Sequence, residues 1–394
     1  MSKGAKLFWG LVVLAILIII VALARTPSGS GPATALPEGP ITLGAIVPLT
    51  GDGAAYGIPI QRAGQIALDE INAAGGINGH PVKVVWEDGK CEGKETTSAA
   101  QKLINIDQVK IILGGVCSSE NLAMADLINP AKVLVISPSA TSPDITLKGG
   151  DFMFRTSPSD AAAGAVAADY AYKKLGAKKA AVISETKDYA QGLRRVFSEN
   201  FKALGGAVVA DETYNTGDTD MRTQILKIKT AAPEVIYLVP QTPSPGVLIL
   251  KQLKAQGVAA KLLTAEVMIG RNVVAENKTN MEGLTGIENW FDEKGELASK
   301  FLATYKDKYK EDAPFPSFMS NMYSQFYLLK EGIEKAGLDT EKLRDWLYGL
   351  KDWKHALGSL TFDKNGDPVG LPYSVKQVKS GELKELEVYR PAVQ

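Results

Sequence analysis

The sequence predicts an α/β protein of two lobes, each built on a mostly parallel sheet flanked by helices. From Ile41 onward, short β-branched runs alternate with segments of helical periodicity, which is the pattern of repeated βα units. The alternation pauses at an extended stretch, 152–158, and resumes at Ala180, so the units fall into two series. A length of 394 residues and an apolar content of 45% supply enough material for two packed lobes.

Each element of the first series follows from its own residue pattern. Runs of valine, isoleucine and leucine bounded by turn residues indicate strands, and apolar residues spaced three or four apart indicate helices. The pattern predicts three strands with the helices that follow them, at Ile41–Val47 and Pro59–Ala74, Val82–Glu87 and Glu95–Ile106, and Val109–Leu113 and Ser119–Asn129. A further strand-like run ends just before Ser137.

The second series follows a predicted hinge. Phe152–Pro158 is extended and ends in a proline, which suits a crossover between the lobes. The next alternation predicts strands and helices at Ala180–Ser184, Tyr189–Leu204, Ala207–Glu212, Met221–Thr230, Val235–Val239, Val247–Ala255 and Lys261–Ala265. After the segment Glu282–Glu288, two long helices are predicted at Glu296–Tyr309 and Ser317–Ala336. Three strands follow them, at Leu357–Phe362, Tyr373–Val378 and Leu386–Tyr389.

These patterns divide the chain into six parts. The first two are a membrane anchor or signal segment and a flexible linker rich in proline, glycine and serine. The folded body then passes from lobe 1 to lobe 2, back to lobe 1, and ends in strands that belong mainly to lobe 2. In this order the boundaries are 1–25, 26–40, 41–156, 157–287, 288–360 and 361–394.

The N-terminal segment predicts contact with a membrane. No charged side chain interrupts Leu7–Ala24, a run longer than the apolar region of about 7–15 residues in a signal peptide and close to the roughly 20 that span a bilayer. It is either an uncleaved anchor or a signal peptide cut after Ala24, because Ala22-Leu23-Ala24 has the small-residue pattern of a cleavage site. Two lysines before the run and one arginine after it place the main body outside the cytoplasm.

Charge and histidine content argue against several classes of function. The 44 basic and 44 acidic residues cancel and no long basic run is present, so a nucleic-acid partner is not expected. The two histidines, His80 and His355, are far apart and lack cysteines at ligand spacing, so we expect no metal and no other cofactor. The loop Gly51–Gly57 is glycine-rich, but Tyr56 stands where a dinucleotide fingerprint needs its third glycine.

The two cysteines, Cys91 and Cys117, each follow a predicted strand. In an exported chain two thiols usually pair, whereas in the cytosol they often stay reduced. We expect a disulfide between them, which in the chain-entropy model stabilises the fold by about 3–4 kcal/mol. The alternative is a pair of unbonded, buried thiols.

Two short loops predict where a ligand binds. Gly114–Ser119 and Ser137–Pro143 each come directly after an apolar strand-like run. In an open parallel sheet, ligands bind outside the carboxyl ends of the strands, where backbone groups are free and the next helix presents its N-terminus. We therefore expect both loops at one rim of the first sheet.

The residues of these loops suit an α-amino acid. Ser118 is a helix cap, a donor to a carboxylate, or both. Thr141 offers a donor and an acceptor, and the backbone carbonyls of Ser139 and Ala140 accept from an ammonium. A carboxylate and an ammonium side by side characterise an α-amino acid.

Three other side chains are candidates, each with an ordinary alternative. Tyr56 covers a small ligand or packs within a turn. Glu266, at the end of the strand Lys261–Ala265, answers an ammonium by a charge-assisted hydrogen bond or is a solvated loop residue. Tyr189 opens a helix of the second series, where it closes over the ligand or packs in the core.

Together these residues resemble the leucine/isoleucine/valine-binding protein family, the type I periplasmic solute-binding proteins of branched-chain amino acid ABC transporters. The resemblance extends from Ile41 almost to the C-terminus and implies the two-lobe type I fold, hinged by crossover strands. It includes the two cysteines, which match a disulfide of the family. The other matching segments are Tyr56-Gly57, Ala67–Gly79, Pro138–Pro143, Asp188–Leu193 and Glu266.

The resemblance also implies roles for individual residues. Ser118 and Thr141 bind the ligand carboxylate, and Ser139, Thr141 and Glu266 bind its ammonium. Gln241 departs from the family, which often has a tyrosine there, so a polar or differently shaped ligand side chain is expected. The pocket for that side chain is formed by Tyr56, Val116, Cys117 and Tyr189.

The function implied is that of the extracytoplasmic binding component of an ABC importer, periplasmic or on the cell surface. It captures a branched-chain or related amino acid between the lobes and delivers it to a membrane permease. We expect a monomer without catalytic residues. The alternatives are a membrane-tethered amino-acid sensor, a receptor for an amide or another solute, and an amidohydrolase with Ser118 or Cys117 as nucleophile. The hydrolase is disfavoured because no histidine lies near these loops and no G-x-S-x-G elbow is present.

Overall fold

A computed structural model describes residues 36 and 38–390. The predicted membrane segment, 1–25, and most of the linker, 26–40, lie outside the described residues. Within the described part, no helix has both the length and the apolar character needed to cross a bilayer.

The first sheet has five parallel strands in the order β2-β1-β3-β4-β5. The inner strands are apolar along their whole length because helices cover both faces of a parallel sheet. In chain order the strands are Ile41–Val47 (β1), Val82–Asp88 (β2), Ile111–Gly114 (β3), Leu134–Ser137 (β4) and Met153–Arg155 (β5). The helices between them are Ala54–Ala73 (α1), Gly93–Asn105 (α2), Ser118–Ala131 (α3) and Asp144–Lys148 (α4). This sheet and its helices form lobe 1.

The second sheet has seven strands in the order β14-β13-β10-β9-β8-β6-β7. Five of them are mutually parallel: Lys179–Glu185 (β6), Ala207–Tyr214 (β7), Val235–Val239 (β8), Lys261–Ala265 (β9) and Thr285–Asn289 (β10). The helices that accompany them are Asp160–Asp169 (α5), Asp188–Ala203 (α6), Arg222–Ala231 (α7), Pro243–Ala255 (α8), Arg271–Glu276 (α9) and Lys278–Met281 (α10). Helix α5 continues as a π-helical turn, Tyr170–Lys174, and a 3₁₀ turn, Glu266–Ile269, follows β9. These elements form lobe 2.

The chain crosses between the lobes three times. After β5 it enters lobe 2, and after β10 it returns to lobe 1 through Glu296–Tyr309 (α11), Pro316–Ala336 (α12), Thr340–Tyr348 (α13) and the hairpin Trp353–His355 (β11) and Gly358–Leu360 (β12). Helix α12 packs along α1. The last strands, Tyr373–Lys379 (β13) and Glu382–Tyr389 (β14), rejoin the second sheet in antiparallel pairing.

A buried ion pair fastens two of these crossings together. Arg155, at the end of β5, is fully buried and pairs through Nε with Asp367, which precedes β13. Its Nη1 also donates to the carbonyl oxygen of Ser142 at 2.8 Å. The Oδ2 of Asp367 accepts from the hydroxyl of Thr146 at 3.0 Å. The first and third connections between the lobes therefore meet at one polar cluster.

The two-lobe α/β architecture predicted from the sequence is confirmed. Most predicted elements are present with ends that differ by a few residues, and Phe152–Pro158 contains the expected crossover strand, β5. The prediction omitted helices α5 and α13, the short helices α4, α9 and α10, and strand β11. Helix α5 reads Asp-Ala-Ala-Ala-Gly-Ala-Val-Ala-Ala-Asp, and a segment of nearly uniform small residues has no apolar period to reveal a helix. The boundaries assigned to the lobes remain predictions.

Candidate ligand-binding site

The two predicted loops meet at the carboxyl ends of β3 and β4. The hydroxyl of Ser139 donates to the carbonyl oxygen of Val116 at 2.8 Å, and the backbone N–H of Ser142 donates to Ser118 Oγ at 3.1 Å. Gly114 is required at the end of β3, because its φ is +110° and a Cβ there would lie 2.1 Å from the carbonyl oxygen of Ile46. The Ser118 hydroxyl accepts one hydrogen bond and keeps its own proton for another partner.

Lobe 2 contributes three buried side chains from its own strand ends. Gln241 follows β8, Glu266 follows β9, and Tyr189 is the second residue of α6. All three face lobe 1 across the cleft, since they line one cavity with Ser118 and Ser139. The site is therefore formed at the strand ends of both sheets, as expected for an open α/β fold.

This cavity has a volume of about 20 Å³, close to what a single water molecule needs. Eight of the predicted residues line it: Tyr56, Val116, Cys117, Ser118, Ser139, Tyr189, Gln241 and Glu266. Ala140 and Thr141 are buried beside it but are not part of its wall. Three apolar lining residues were not predicted, Val267, Phe315 and Phe318. Phe315 immediately precedes α12 and Phe318 lies in its first turn, which is distant in sequence from every predicted loop.

Asp160 is a buried acidic residue that sequence reasoning missed; it does not line the cavity but is near enough to Glu266 for their charges to interact. It is 1% exposed, begins α5, and donates its backbone N–H to the carbonyl oxygen of Thr141 at 2.8 Å. Burial raises the pKa of Asp160 well above its usual range, and the charge of Glu266 raises it further. Burial also raises the pKa of Glu266, to about 7. Two buried carboxyls that oppose each other's ionisation are stabilised by a cation placed between them.

Several buried polar atoms of the site have no hydrogen-bond partner among the described residues. They are Thr141 Oγ1, Asp160 Oδ2, Tyr189 OH and Gln241 Oε1. Buried polar atoms are nearly always satisfied, because leaving one unpaired is costly. Two of these atoms, Tyr189 OH and Gln241 Oε1, belong to residues that line the cavity, and they indicate groups that a bound ligand satisfies.

The cysteines support this site from the lobe 1 side. Cys91 follows β2 and Cys117 follows β3, and their Cα atoms are 5.3 Å apart, a distance that a disulfide spans. The hydroxyl of Tyr56 lies 3.0 and 3.1 Å from the two sulfur atoms. Glu120 accepts from the backbone N–H groups of Cys91 at 3.1 Å and Cys117 at 2.9 Å, and burial raises its pKa to about 7. The Tyr56 ring is thereby fixed against the cavity.

The arrangement of strand ends and inter-lobe cleft agrees with a comparison to known families. A family model described as a periplasmic binding protein matches residues 40–382. The chain belongs to this family. A periplasmic binding protein acts outside the cytoplasm, and the family binds solutes, so both the predicted location of the body and its class as a binding protein follow from membership.

Individual periplasmic binding proteins resemble this one over most of its length. The Leu/Ile/Val-binding protein homolog 3 of Brucella melitensis is 31% identical over 349 residues, which are 88% of this chain and 94% of the relative. The leucine-, isoleucine-, valine-, threonine-, and alanine-binding protein of Pseudomonas aeruginosa is 32% identical over 330 residues, 83% of this chain and 87% of the relative. The predicted resemblance to Leu/Ile/Val-binding proteins is confirmed.

A solved structure shows the same fold. The branched-chain amino acid transporter substrate-binding protein LivJ of Streptococcus pneumoniae, in complex with isoleucine, superimposes with a TM-score of 0.80 at 30% identity. The alignment covers 89% of this chain and all of that one. The type I periplasmic binding protein fold predicted from the sequence is therefore confirmed.

Proposed function

We propose that this protein is the substrate-binding component of an ABC importer, which binds an amino acid between its lobes and delivers it to a membrane permease. The observation that carries the proposal is the pair of buried carboxyls, Asp160 and Glu266, beside unsatisfied hydroxyls. This arrangement suits a ligand that carries an ammonium next to a carboxylate. Relatives named for leucine, isoleucine and valine support the choice of an amino acid.

Lobe 1 supplies the carboxylate end. Ser118 is the first residue of α3, a helix of 14 residues whose free N–H groups and dipole favour an anion. The hydroxyl of Ser118 retains its donor, and Thr141 Oγ1 is buried without a partner. These groups replace the water that a carboxylate loses on burial.

The ammonium end lies between the lobes. Glu266 comes from lobe 2, and Asp160 stands at the first crossing, bonded to Thr141 of lobe 1. An ammonium has three donors, so two carboxylates and a hydroxyl satisfy it. Because the ligand contacts both lobes, its binding energy favours the closed form.

Ion pairs between the lobes also favour closure. Lys187 Nζ lies 2.6 Å from Glu92 Oε1, and Arg195 Nη2 lies 2.8 Å from Asp144 Oδ1. These groups are partly exposed, so each pair contributes about 1 kcal/mol or less. The ligand, rather than these pairs, is expected to decide how long the lobes remain together.

Thermal unfolding of residues 36–394 with a ligand panel tests the function. An amino acid at about 100 times its dissociation constant should stabilise the protein by about 2.7 kcal/mol. The matched controls are 4-methylpentanoate, which is leucine without its ammonium, and leucinamide, which lacks the carboxylate. Stabilisation by 4-methylpentanoate equal to that by leucine would overturn the assignment of an amino acid. Stabilisation by leucinamide equal to that by leucine, with 4-methylpentanoate inactive, would instead favour an amide receptor.

Glu266→Gln should weaken amino-acid binding by about 1.5–3 kcal/mol, because a hydrogen bond to a charged group is replaced by one to a neutral amide. Isothermal titration calorimetry measures the change. Glu276→Gln, at an exposed position of α9, is the matched control and should retain wild-type affinity. Equal affinities for wild type and Glu266→Gln would remove Glu266 from the site.

Affinity should rise with pH between about 5.5 and 8. Burial raises the pKa of Glu266 to about 7, and it raises the pKa of Asp160 as well. At low pH the carboxyls of the free site are therefore protonated, and a bound ammonium must displace a proton. Loss of one proton on binding makes affinity fall toward about tenfold per pH unit below that pKa. Neighbouring Tyr189 and Tyr237 have raised pKa values and do not titrate in this range. Calorimetry in buffers of different ionisation enthalpy measures the proton release directly, and proton uptake would contradict the model.

A further inference from the structure

A second cavity adjoins the ligand cavity. It has a volume of about 370 Å³ and shares Gln241 with the smaller one. Loops of both lobes form its wall, including Gly51–Gly53 and Lys90–Glu92 from lobe 1 and Glu185, Lys187 and Thr216 from lobe 2. We call this space the distal chamber. It offers the room that the ligand cavity itself lacks.

Gln241 separates the two spaces and is oriented by contacts on both sides. The side chain is 4% exposed. Its Nε2 donates to the hydroxyl of Tyr56 at 3.3 Å, and its backbone N–H donates to Glu185 Oε2 at 2.9 Å. With the amide nitrogen engaged, Oε1 is left buried without a donor among the described residues. A ligand that extends past Tyr56 meets an acceptor at this point.

The chamber wall behind Gln241 also presents acceptors. Glu185 is 2% exposed and accepts from Thr216 Oγ1 at 2.5 Å and from the backbone N–H of Gln241. In the described part of the chain, no lysine or arginine nitrogen pairs with Glu185, and the nearby Lys187 is engaged by Glu92. A buried carboxylate without a cation favours hydrogen-bond donors and opposes another carboxylate.

We propose that the distal chamber is a subsite for the donor-bearing end of an amino-acid side chain, with Gln241 as the residue that selects it. The preferred ligand then carries a carboxamide, ammonium or guanidinium group, and purely aliphatic amino acids bind less tightly. This inference rests on the proposed function, since it concerns the side chain of the same ligand. Donors on the ligand satisfy Gln241 Oε1, whereas an aliphatic side chain leaves that oxygen unpaired.

Calorimetric titration with matched pairs of amino acids tests the subsite. Glutamine ends in a carboxamide that donates hydrogen bonds, whereas glutamate ends in a negatively charged carboxylate. Lysine ends in an ammonium group that norleucine lacks. We expect glutamine or lysine to bind at least about tenfold more tightly than its partner and than leucine. Preference for glutamine over lysine identifies a carboxamide subsite, and the reverse identifies a cation subsite.

Gln241→Leu should lower affinity for the donor-bearing ligand about tenfold and leave affinity for leucine unchanged or higher, because leucine no longer faces an unpaired oxygen, so the affinities of the two ligands become similar. Gln101→Leu, an exposed glutamine of α2, is the matched control and should preserve the wild-type ranking. If Gln241→Leu does not fold, the order of amino-acid affinities measured on the wild-type protein still tests the subsite. Tighter binding of leucine, isoleucine or valine than of glutamine, lysine and arginine overturns the subsite and leaves the proposed function standing. Binding of no amino acid at all overturns both.

Discussion

Arg155→Met is expected to destabilise the protein by about 3–5 kcal/mol, the range for breaking one partner out of a buried ion pair. The guanidinium is fully buried, pairs with Asp367 and donates to the carbonyl of Ser142. Methionine fills similar volume but removes the cation, so among the described residues Asp367 keeps only the Thr146 hydroxyl and the carbonyl oxygen of Ser142 keeps only the backbone N–H of Ile145. Urea unfolding monitored by circular dichroism measures the loss, with the ligand absent so that binding does not contribute.

Two further variants separate this effect from general surface electrostatics. Arg222→Met removes an arginine that also pairs with an aspartate, but its side chain is 73% exposed and that of Asp220 is 53% exposed, so the loss of stability should be far smaller than for Arg155→Met. Combining Arg155→Met with Asp367→Leu removes both charges, and the double variant should be less destabilised than the sum of the single changes. A loss for Arg155→Met no larger than that for Arg222→Met would show that the crossings are held together by other contacts.

The cluster around Arg155 also shows where sequence reasoning ends. The stretch Phe152–Pro158 is readable as a crossover because a proline ends an extended run. The partner, Asp367, lies in a turn more than two hundred residues later, and no local pattern connects them. Periodicity predicts elements, whereas contacts between lobes depend on topology.

The candidate site divides in the same way. Ser118, Ser139 and Glu266 were predicted because each follows an apolar strand, and strand ends of a parallel sheet converge. Asp160 was missed because its helix, α5, has no apolar period and therefore was not predicted. Phe315 and Phe318 were missed because they come from the return to lobe 1, whose position over the cleft follows from α12 packing on α1.

Gln241 is the residue on which sequence and structure bear together. The sequence shows glutamine where the resembling family often has an aromatic residue, which predicts a polar or differently shaped ligand side chain. The structure adds that its amide oxygen is buried without a donor and borders a larger chamber. The sequence shows only that the residue differs from the family, and the structure indicates that Gln241 favours ligands whose side chains donate hydrogen bonds.

We propose that Cys91 and Cys117 form a disulfide, and Cys91→Ser is then expected to destabilise the protein by about 3–4 kcal/mol. The two residues are 26 apart in sequence and follow β2 and β3, which lie on either side of β1 in the sheet. A bond between them restrains both neighbours of β1, the strand that precedes α1, the helix on which Tyr56 lies. Without the disulfide, the segment between Cys91 and Cys117 is no longer closed into a loop in the unfolded chain. The unfolded state gains entropy, and the protein loses stability by that amount.

Reductant provides the matched comparison for this prediction. Tris(2-carboxyethyl)phosphine should lower the urea midpoint of the wild type to near that of Cys91→Ser and leave the variant unchanged. Ligand affinity should change much less than stability, because Cys91 borders only the distal chamber and not the ligand cavity, and Tyr56 keeps its hydrogen bond from Gln241. An unchanged wild-type midpoint, with mass spectrometry showing two alkylatable thiols without reductant, would mean that Cys91 and Cys117 are buried free thiols.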